Sequence, residues 1–568
     1  MAMRRACVLL IALLTAGVLA TLLWHILAPG GWTPAKIVMI AAFAGTAPWT
    51  GLCMANGLIG FLILVGSRDP IRAVFPRVAD NRAPLPRVAV AVTVRDEEMR
   101  DVLRPLRRLL RGLDGAGAGD AFAVFVLSDT RDARAARAEK LAVARFRAED
   151  RDPRRIRYRR RAATGGFKAG NIMEFLDRHA DGFELMLTLD ADSDMSAAAV
   201  LRLVQAIQAD PTLAIAQHLT VGLPASSAFP RLFQFGMRSG MRTWATGQAW
   251  WQGDEGPYWG HNAVVRIAPF RTHCRLPLLP GGRHILSHDQ VEAAILRGAG
   301  WGVRVLPDED GSWEANPPAL PEFLRRDLRW LAGNLQYWHL LRLRGLRPMG
   351  RWQLVQAMLL SVGMPFYVLF LLAAAAAAAT DVTSPFPAAP ALALTLAWLG
   401  ALYAPKLLGY AEVALSPVLR RQYGGLTRLS GGVAAEFGFT LLLDAICAVA
   451  KVGGAARAVL GVRPGWTPQN RSDRGVSWTE AARLLWPQTV LGLLAFAGFA
   501  AAGSAAALWA LPLAGGLLVA IPLCVLTADP RVGRWLRERQ IAAIPEEHPV
   551  ARPPAVAGLA LQPQAEPD

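Results

Sequence analysis

The chain has 568 residues, 53% of them hydrophobic, and its 61 Lys+Arg against 44 Asp+Glu give a formal charge of +17. That length exceeds one ordinary domain, and the long apolar runs exclude a purely soluble protein: the chain reads as a membrane protein with a soluble portion. The basic excess suits the cytoplasmic side and anionic lipid headgroups, and without a recognisable nucleic-acid motif no nucleic-acid partner is expected.

Residues 6–28 are almost wholly apolar behind Arg4 and Arg5, and a second apolar run covers 37–66. No small-residue cleavage site precedes a soluble region, so 1–66 reads as a transmembrane hairpin and not as a signal peptide. Residues 67–350 are soluble in character. Val88–Val94, Ala121–Leu127, Arg155–Arg161, Leu185–Leu189 and Leu213–His218 read as strands. Glu97–Leu113, Asp132–Phe146 and Ser196–Ala209 read as helices. This alternation predicts an α/β domain with a parallel sheet covered by helices. The Gly-Ala-Gly-Ala-Gly of 115–119 precedes a strand instead of linking strand to helix, so it is a loop and not a phosphate cradle.

Apolar runs return at 354–379, 391–409, 433–450, 487–505 and 508–527. Loop 380–390 holds no Lys or Arg, whereas 411–486 and 531–539 hold many. The positive-inside rule then puts both termini and the soluble domain inside, with six spans, provided 433–450 does not cross; seven or eight spans stay open. Glu436 and Asp444 make that segment costly at mid-bilayer, so an interfacial or re-entrant helix is expected. Residues 351–530 thus form a second membrane part with a cytoplasmic loop at 451–486. A cytoplasmic tail follows at 531–568, and its Pro, Ala and acidic content predicts disorder. The cysteines (Cys7, Cys53, Cys274, Cys447, Cys524) include no C-x-x-C pair, which supports neither zinc nor a disulfide framework.

The chemistry centres on Lys168–Asp192. Lys168-Ala-Gly-Asn171 opens a helix-like segment, and Leu185–Leu189 then ends on Asp190 and Asp192. In an extended chain, residues i and i+2 leave on one side, so both acids can converge on one cation. Ligands bind at the carboxyl ends of strands in open α/β sheets, and hard oxygens suit Mg²⁺ (or Mn²⁺) held with phosphates. An acidic turn after a strand is the plainer explanation of a bare D-x-D. Asp96-Glu97, Asp129 and the Ser287-His288-Asp289 loop place further acids at strand ends or in loops, and Arg326-Asp327-Leu328-Arg329-Trp330 follows them.

In that order, Asp129, Asp190-Ala-Asp192, Asp289 and Arg326-x-x-Arg329-Trp330 resemble the signature of the membrane-bound inverting family 2 glycosyltransferases, the class of cellulose and hyaluronan synthases. The wording KAGNI, LDADS, YWGHNAVVR, ILSHDQVEAA, RGAGWGV and RRDLRWLAGNL is closest to the branch that builds the backbone of osmoregulated periplasmic glucans. The resemblance runs from about residue 85 to 345 and more loosely over the membrane part. Arg326 stands where the wider family often has Gln, and the arm before the first span is short. The resemblance implies a cytoplasmic GT-A domain, with a Rossmann-like mixed sheet, inserted between transmembrane segments of a multi-pass protein of the bacterial inner membrane. It implies a hexosyltransferase that uses UDP-glucose to build a linear β-1,2-glucan; the acids in catalytic order argue against a transporter or a scaffold. It also implies an acyl carrier protein and a periplasmic glucan-processing protein as partners. A cellulose- or hyaluronan-type synthase is the alternative.

Each role has a physical reason. A leaving diphosphate needs neutralisation by a metal and guanidinium groups. Asp192 is expected to ligate the metal with Asp190 in support, and Arg326 and Arg329 to fork onto diphosphate oxygens. Asp96 and Asp129 are expected to hold uracil or ribose, and Lys168 to help bind the donor, by the family resemblance. An inverting displacement needs one carboxylate base for the acceptor hydroxyl, and Asp289 is the candidate; it can equally cap the helix that follows. Trp330 and the loop of Trp259 and His261 offer flat faces with polar edges for the growing glucan. His261 and His288 lack a second His or Cys at ligand spacing, so hydrogen bonding is expected of them and not metal binding. Loop 466–478 is polar and lies where cellulose synthases carry a loop that closes over the nucleotide.

Overall fold

The computed structural model describes residues 1–76, 84–162, 164–380, 387–461 and 473–548. Its soluble part is built on ten strands: β1 (Val88–Val94), β2 (Phe122–Ser128), β3 (Ile156–Arg160), β4 (Leu185–Leu189), β5 (Asp194–Met195), β6 (Leu213–His218), β7 (Val221–Gly222), β8 (Ala263–Arg266), β9 (Gly302–Leu306) and β10 (Ser312–Glu314). Seven of them form one sheet in the order β3-β2-β1-β4-β8-β6-β9, and β5-β10-β7 form a second, small sheet. Strands β1 to β4 pair in parallel, whereas β8 runs antiparallel to both β4 and β6, so the sheet is mixed.

Alternation along β1 builds two core layers. Val88, Val90, Val92 and Val94 pack with the helix Met99–Gly115, whose Val102, Leu103, Leu106, Leu109, Leu110 and Leu113 recur at helical spacing. Ala89 and Ala91 face the other way, onto Ile172, Phe175 and Leu176 of the helix Phe167–Arg178. Asp132 and Ser196 cap the helices Ala133–Ala148 and Ala197–Ala209, accepting from Ala135 N at 2.7 Å and Ala199 N at 3.1 Å. Because β1 lies between β2 and β4, the order in which strands are added to the sheet reverses at it, while all three strands run parallel. The residues after these three strands, Asp96, Asp129 and Asp190, therefore lie at one edge of the sheet, beside the switch point.

Among the described residues, five helices are long and apolar enough to cross a membrane: Ala2–Leu27, Pro34–Gly66, Pro348–Thr380, Leu426–Val459 and Trp478–Ala501. Two further pairs qualify as broken spans, Ala388–Leu402 with Ala404–Leu415 bent by 74° and Ser504–Leu518 with Ala520–Ala528 bent by 59°. The runs expected as straight spans at 391–409 and 508–527 are thus bent, with Pro405 and Pro522 just past the breaks, where a proline cannot donate to the preceding turn. The segment expected to stay interfacial, 433–450, sits within one 34-residue helix that is long enough to cross. Its acids are not exposed to solvent or lipid without partners. Gly432 packs on Phe235 near one end, and Lys451 Nζ lies 3.3 Å from Asp327 near the other. Glu436 accepts from Lys406 Nζ and Thr440 Oγ1, each at 2.6 Å, and Asp444 accepts from Tyr403 at 2.7 Å. Partners on each carboxylate offset the cost of burying it.

The helix Ala228–Gln252 joins the two parts. A Cβ at Gly60 would strike the Thr243 carbonyl and one at Gly247 the Asn56 carbonyl, so these glycines let the helix backbone touch the span Pro34–Gly66 directly. Its other faces bury Arg231, Arg238 and Arg242. Arg238 donates to Glu309 at 2.8 Å and Glu546 at 2.5 Å, Arg242 to Glu309 at 2.6 Å and to Glu412, and Arg231 to Glu547 at 2.5 Å. This corrects the expectation for the tail. Residues 530–538 are helical and 545–547 form a tight turn, because Glu546 and Glu547 supply charges that buried arginines require. Residues 549–568 lie outside those described.

Replacing Arg238 by Met removes a shared partner of two buried carboxylates. Thermal unfolding in detergent should show a loss of about 3–5 kcal/mol, the cost of breaking a buried ion pair. An unchanged midpoint would mean that the network adds nothing to stability.

Candidate active site

The site forms at the carboxyl ends of β1, β2 and β4. Asp96 follows β1 with φ 59°, and its N–H donates to Thr130 Oγ1 at 2.7 Å. Thr130 and Ser128 in turn donate to the buried Glu139, the latter at 2.6 Å. Asp129 is buried and takes a two-pronged contact from Arg161, at 2.5 and 2.7 Å. Arg161 also donates to the carbonyls of Gly165 and Phe167, both at 2.8 Å. Asp129 thereby fixes the turn from which Lys168 projects. Gly166 and Phe167 enter the helix Phe167–Arg178 with φ 73° and 51°. The helix begins before Gly170 and Asn171, and Asn171 donates to Leu127 O at 3.1 Å and locks the helix onto β2.

Asp190 and Asp192 are not two residues of an extended strand. The chain turns after Leu189, with Ser193 N donating to Asp190 O at 3.1 Å and Asp190 N to Ser193 Oγ at 3.0 Å. The turn gives each acid its own neighbours. Asp190 pairs with Lys168, which also donates to Gly260 O at 2.9 Å. Burial opposes the Lys168 charge, but Asp190 and Asp289 outweigh it and hold the ammonium above its usual range. Asp192 lies within electrostatic reach of Glu314 and Arg326, and Asp190 also acts on Glu314.

Gly260 separates the two acidic poles. It adopts φ 87°, and a Cβ there would fall 2.8 Å from Asp289 Oδ1, so only glycine lets the loop pass between Lys168 and Asp289. Asp289 opens the helix Asp289–Gly298, where a carboxylate is favoured by the helix dipole; His288 occupies the cap position expected for it. His288 Nδ1 lies 3.2 Å from Asp289 and 3.0 Å from Glu292. Burial alone would lower the His288 pKa, yet the two carboxylates push it up to about 9. The cluster His288–Asp289–Glu292 has the spacing to hold a metal.

On the helix Leu320–Leu335, Arg326 and Trp330 stand one turn apart, and the guanidinium lies 4.7 Å from the centre of the indole. Trp330 is 47% exposed, so its outer face is open for stacking. Burial lowers the Arg326 pKa against the pull of Glu314 and Asp192. Among the described residues, Arg326 Nε is buried without a hydrogen-bond partner. Arg329 is partly buried on the same helix. Lys451 pairs with Asp327 at 3.3 Å, and Arg474 donates to Glu322 at 2.8 Å, so two points of the 451–486 region grip this helix. Of the loop 466–478, residues 466–472 with Gln469, Asn470 and Arg471 lie outside those described. Trp259 N donates to Gln217 at 2.6 Å, and His261 Nε2 lies 3.5 Å from Glu314.

Three contributors escaped the sequence reading. Glu292 was visible as the i+4 partner of His288 on a helix. Arg161 and Glu314 had no spacing signal, because only the fold brings them to Asp129 and Asp192. Burial, then Asp192 and Asp190, raises the Glu314 pKa against His261 and Arg326.

Residues 185–404 match the family model described as Glycosyl transferase family group 2. The mannosyltransferase PcManGT from Pyrobaculum calidifontis, solved with GDP-Man and Mn²⁺, overlaps 72% of this chain and 100% of its own, with a TM-score of 0.43 and 17% identity. The chain is 32% identical over 564 residues to glucans biosynthesis glucosyltransferase H of Xanthomonas campestris, covering 93% of this chain and 84% of that one. It is 33% identical over 576 residues to the protein of the same description from Caulobacter vibrioides, covering 95% and 84%. With its two acidic poles, its Arg-x-x-Arg-Trp helix and its flanking apolar helices, this chain is a membrane glycosyltransferase that belongs to the glucans biosynthesis glucosyltransferase H family.

Proposed function

We propose that the protein transfers glucose from UDP-glucose, with inversion, to a growing linear β-1,2-glucan at the bacterial inner membrane. The observation that carries this reading is the pair of poles divided by Gly260: Asp190, Asp192 and Arg326 on one side and Asp289 on the other. The first suits a nucleotide diphosphate and the second an acceptor hydroxyl.

On the donor side, Asp96 and Asp129 hold the nucleoside, and Arg326 and Arg329 take the diphosphate oxygens. The carboxylate oxygens of Asp192 and Asp190 fit Mg²⁺ or Mn²⁺, with Lys168 already balancing Asp190. Bound there, the cation would neutralise charge on the leaving diphosphate. Lys168 keeps the donor pole and the Gly260 loop in register. On the acceptor side, Asp289 takes the hydroxyl proton, and the His288 cation, held by Glu292, fixes the carboxylate in place. Trp330, Trp259 and His261 seat the glucan end.

The catalytic domain lies on the cytoplasmic side in this reading, between the hairpin 1–66 and the helices after 350. Six crossings fit if each bent pair counts as one and Leu426–Val459 runs along the interface, a placement supported by the pairing of Lys451 near its end with Asp327. The glucan leaves between the membrane helices. An acyl carrier protein and a periplasmic glucan-processing protein are its partners by family resemblance.

Membranes carrying the protein should make polymer from labelled UDP-glucose, and linkage analysis should find β-1,2 bonds; β-1,4 bonds would point to a cellulose-type synthase instead. Chelation with EDTA should abolish synthesis, and Mg²⁺ or Mn²⁺ should restore it. Asp289→Asn should lower turnover by about 10²–10⁴-fold, the usual worth of a general base, while UDP still binds. Polymer at the wild-type rate would remove Asp289 from the mechanism. His288 has a folded pKa of about 9 against about 6.5 unfolded. Its contribution to stability is therefore full below pH 6.5 and is lost as pH rises through 9. The unfolding midpoint of His288→Gln should trail wild type most at pH 6 and converge with it above pH 9.

A further inference from the structure

The small sheet presents a polar group to the donor pole that the roles above leave unused. Strand β10 pairs with β5 so that Trp313 stands opposite Asp194, two residues past Asp192, and with β7 so that Glu314 stands opposite Gly222. One Glu314 oxygen lies 3.5 Å from His261 Nε2, and the side chain keeps 31% of its surface exposed. Around it, buried polar atoms lack partners among the described residues: His261 Nδ1, Asn316 Nδ2 and both amide atoms of Gln234. Gln234 is 1% exposed, and its Oε1 would lie 2.8 Å from a Cβ on Gly222, a point that Asn316 Nδ2 also crowds. Unpaired buried donors and acceptors are costly, and native structures keep few of them. Donors and acceptors gathered beside a carboxylate match a ligand that carries several hydroxyls on a rigid ring.

We propose that Glu314, paired with His261 and flanked by Gln234 and Asn316, forms a subsite for the ring hydroxyls of a hexopyranosyl unit. The inference rests on the glucosyltransferase reading above and adds to it a specificity site outside the motif residues. The unit arrives either on the nucleotide or at the end of the glucan, and the hydroxyl chemistry is the same in both.

The test uses full-length wild type, Glu314→Gln and Gln234→Leu in membranes. Three quantities are measured: KM for UDP-glucose, KM for an added β-1,2-linked gluco-oligosaccharide, and inhibition by UDP with Mg²⁺. One KM should rise by about tenfold or more in each variant, with inhibition by UDP unchanged, the mark of a lost binding contact. A rise for UDP-glucose, together with loss of discrimination against deoxyglucose donors, assigns the subsite to the donor sugar. A rise for the oligosaccharide assigns it to the acceptor. Weaker inhibition by UDP, or a raised Mg²⁺ requirement, makes Glu314 a metal ligand and overturns the proposal. Unchanged KM values with a lowered unfolding midpoint make the group structural and also overturn it. Wild-type turnover of UDP-glucose checks the parent reading separately. If that fails, direct binding of the oligosaccharide to wild type but not to Glu314→Gln still supports the subsite, and equal binding overturns it.

Discussion

Three arginines on one helix hold this molecule together. Arg231, Arg238 and Arg242 are buried on Ala228–Gln252, and no buried guanidinium persists without counter-charge. Their carboxylates come from distant parts of the chain: Glu309 between β9 and β10, Glu412 in a bent membrane pair, and Glu546 and Glu547 near the C-terminus. Satisfying the arginines therefore fixes the catalytic part against the membrane part. Trp313 Nε1 donates to Glu546 at 3.1 Å, so the same network reaches the strand that carries Glu314.

The glycines of the contact serve the same end. Small residues at Gly60 and Gly247 bring the connecting helix within backbone distance of a membrane span. Polar backbone and charged side chains thus share one interface, and a shift of the span would be felt at the sheet. A catalytic domain anchored in this way is held in one orientation against the membrane helices.

Within the site, electrostatics are arranged as alternating charges. Asp190, Lys168, the Gly260 carbonyl, Asp289, His288 and Glu292 follow one another across the site. Each cation lies between anionic or carbonyl oxygens, so neither acid is held against uncompensated repulsion. Asp190 is held by Lys168 after the end of β4, while Asp289 is held at the start of its own helix beside His288.

Much of this was legible in the residues themselves. The apolar β-branched runs before Asp96, Asp129 and Asp190, the helical spacing of Leu and Val after Asp96, and the apolar segments flanking 67–350 follow from local periodicity, which depends only on neighbours in the chain. The order of acids and the Arg-x-x-Arg-Trp motif pointed to glycosyl transfer for the same reason, since each is a short stretch. What the sequence hid was long-range. The turn that separates Asp190 from Asp192, the capture of Asp129 by Arg161, the placement of Glu314 by β10, and the bends after Leu402 and Leu518 depend on partners far away in the chain. The tail shows the difference most clearly. Its composition through Glu546 and Glu547 reads as disordered, and only the fold reveals that buried arginines, more than 300 residues earlier, need those two charges.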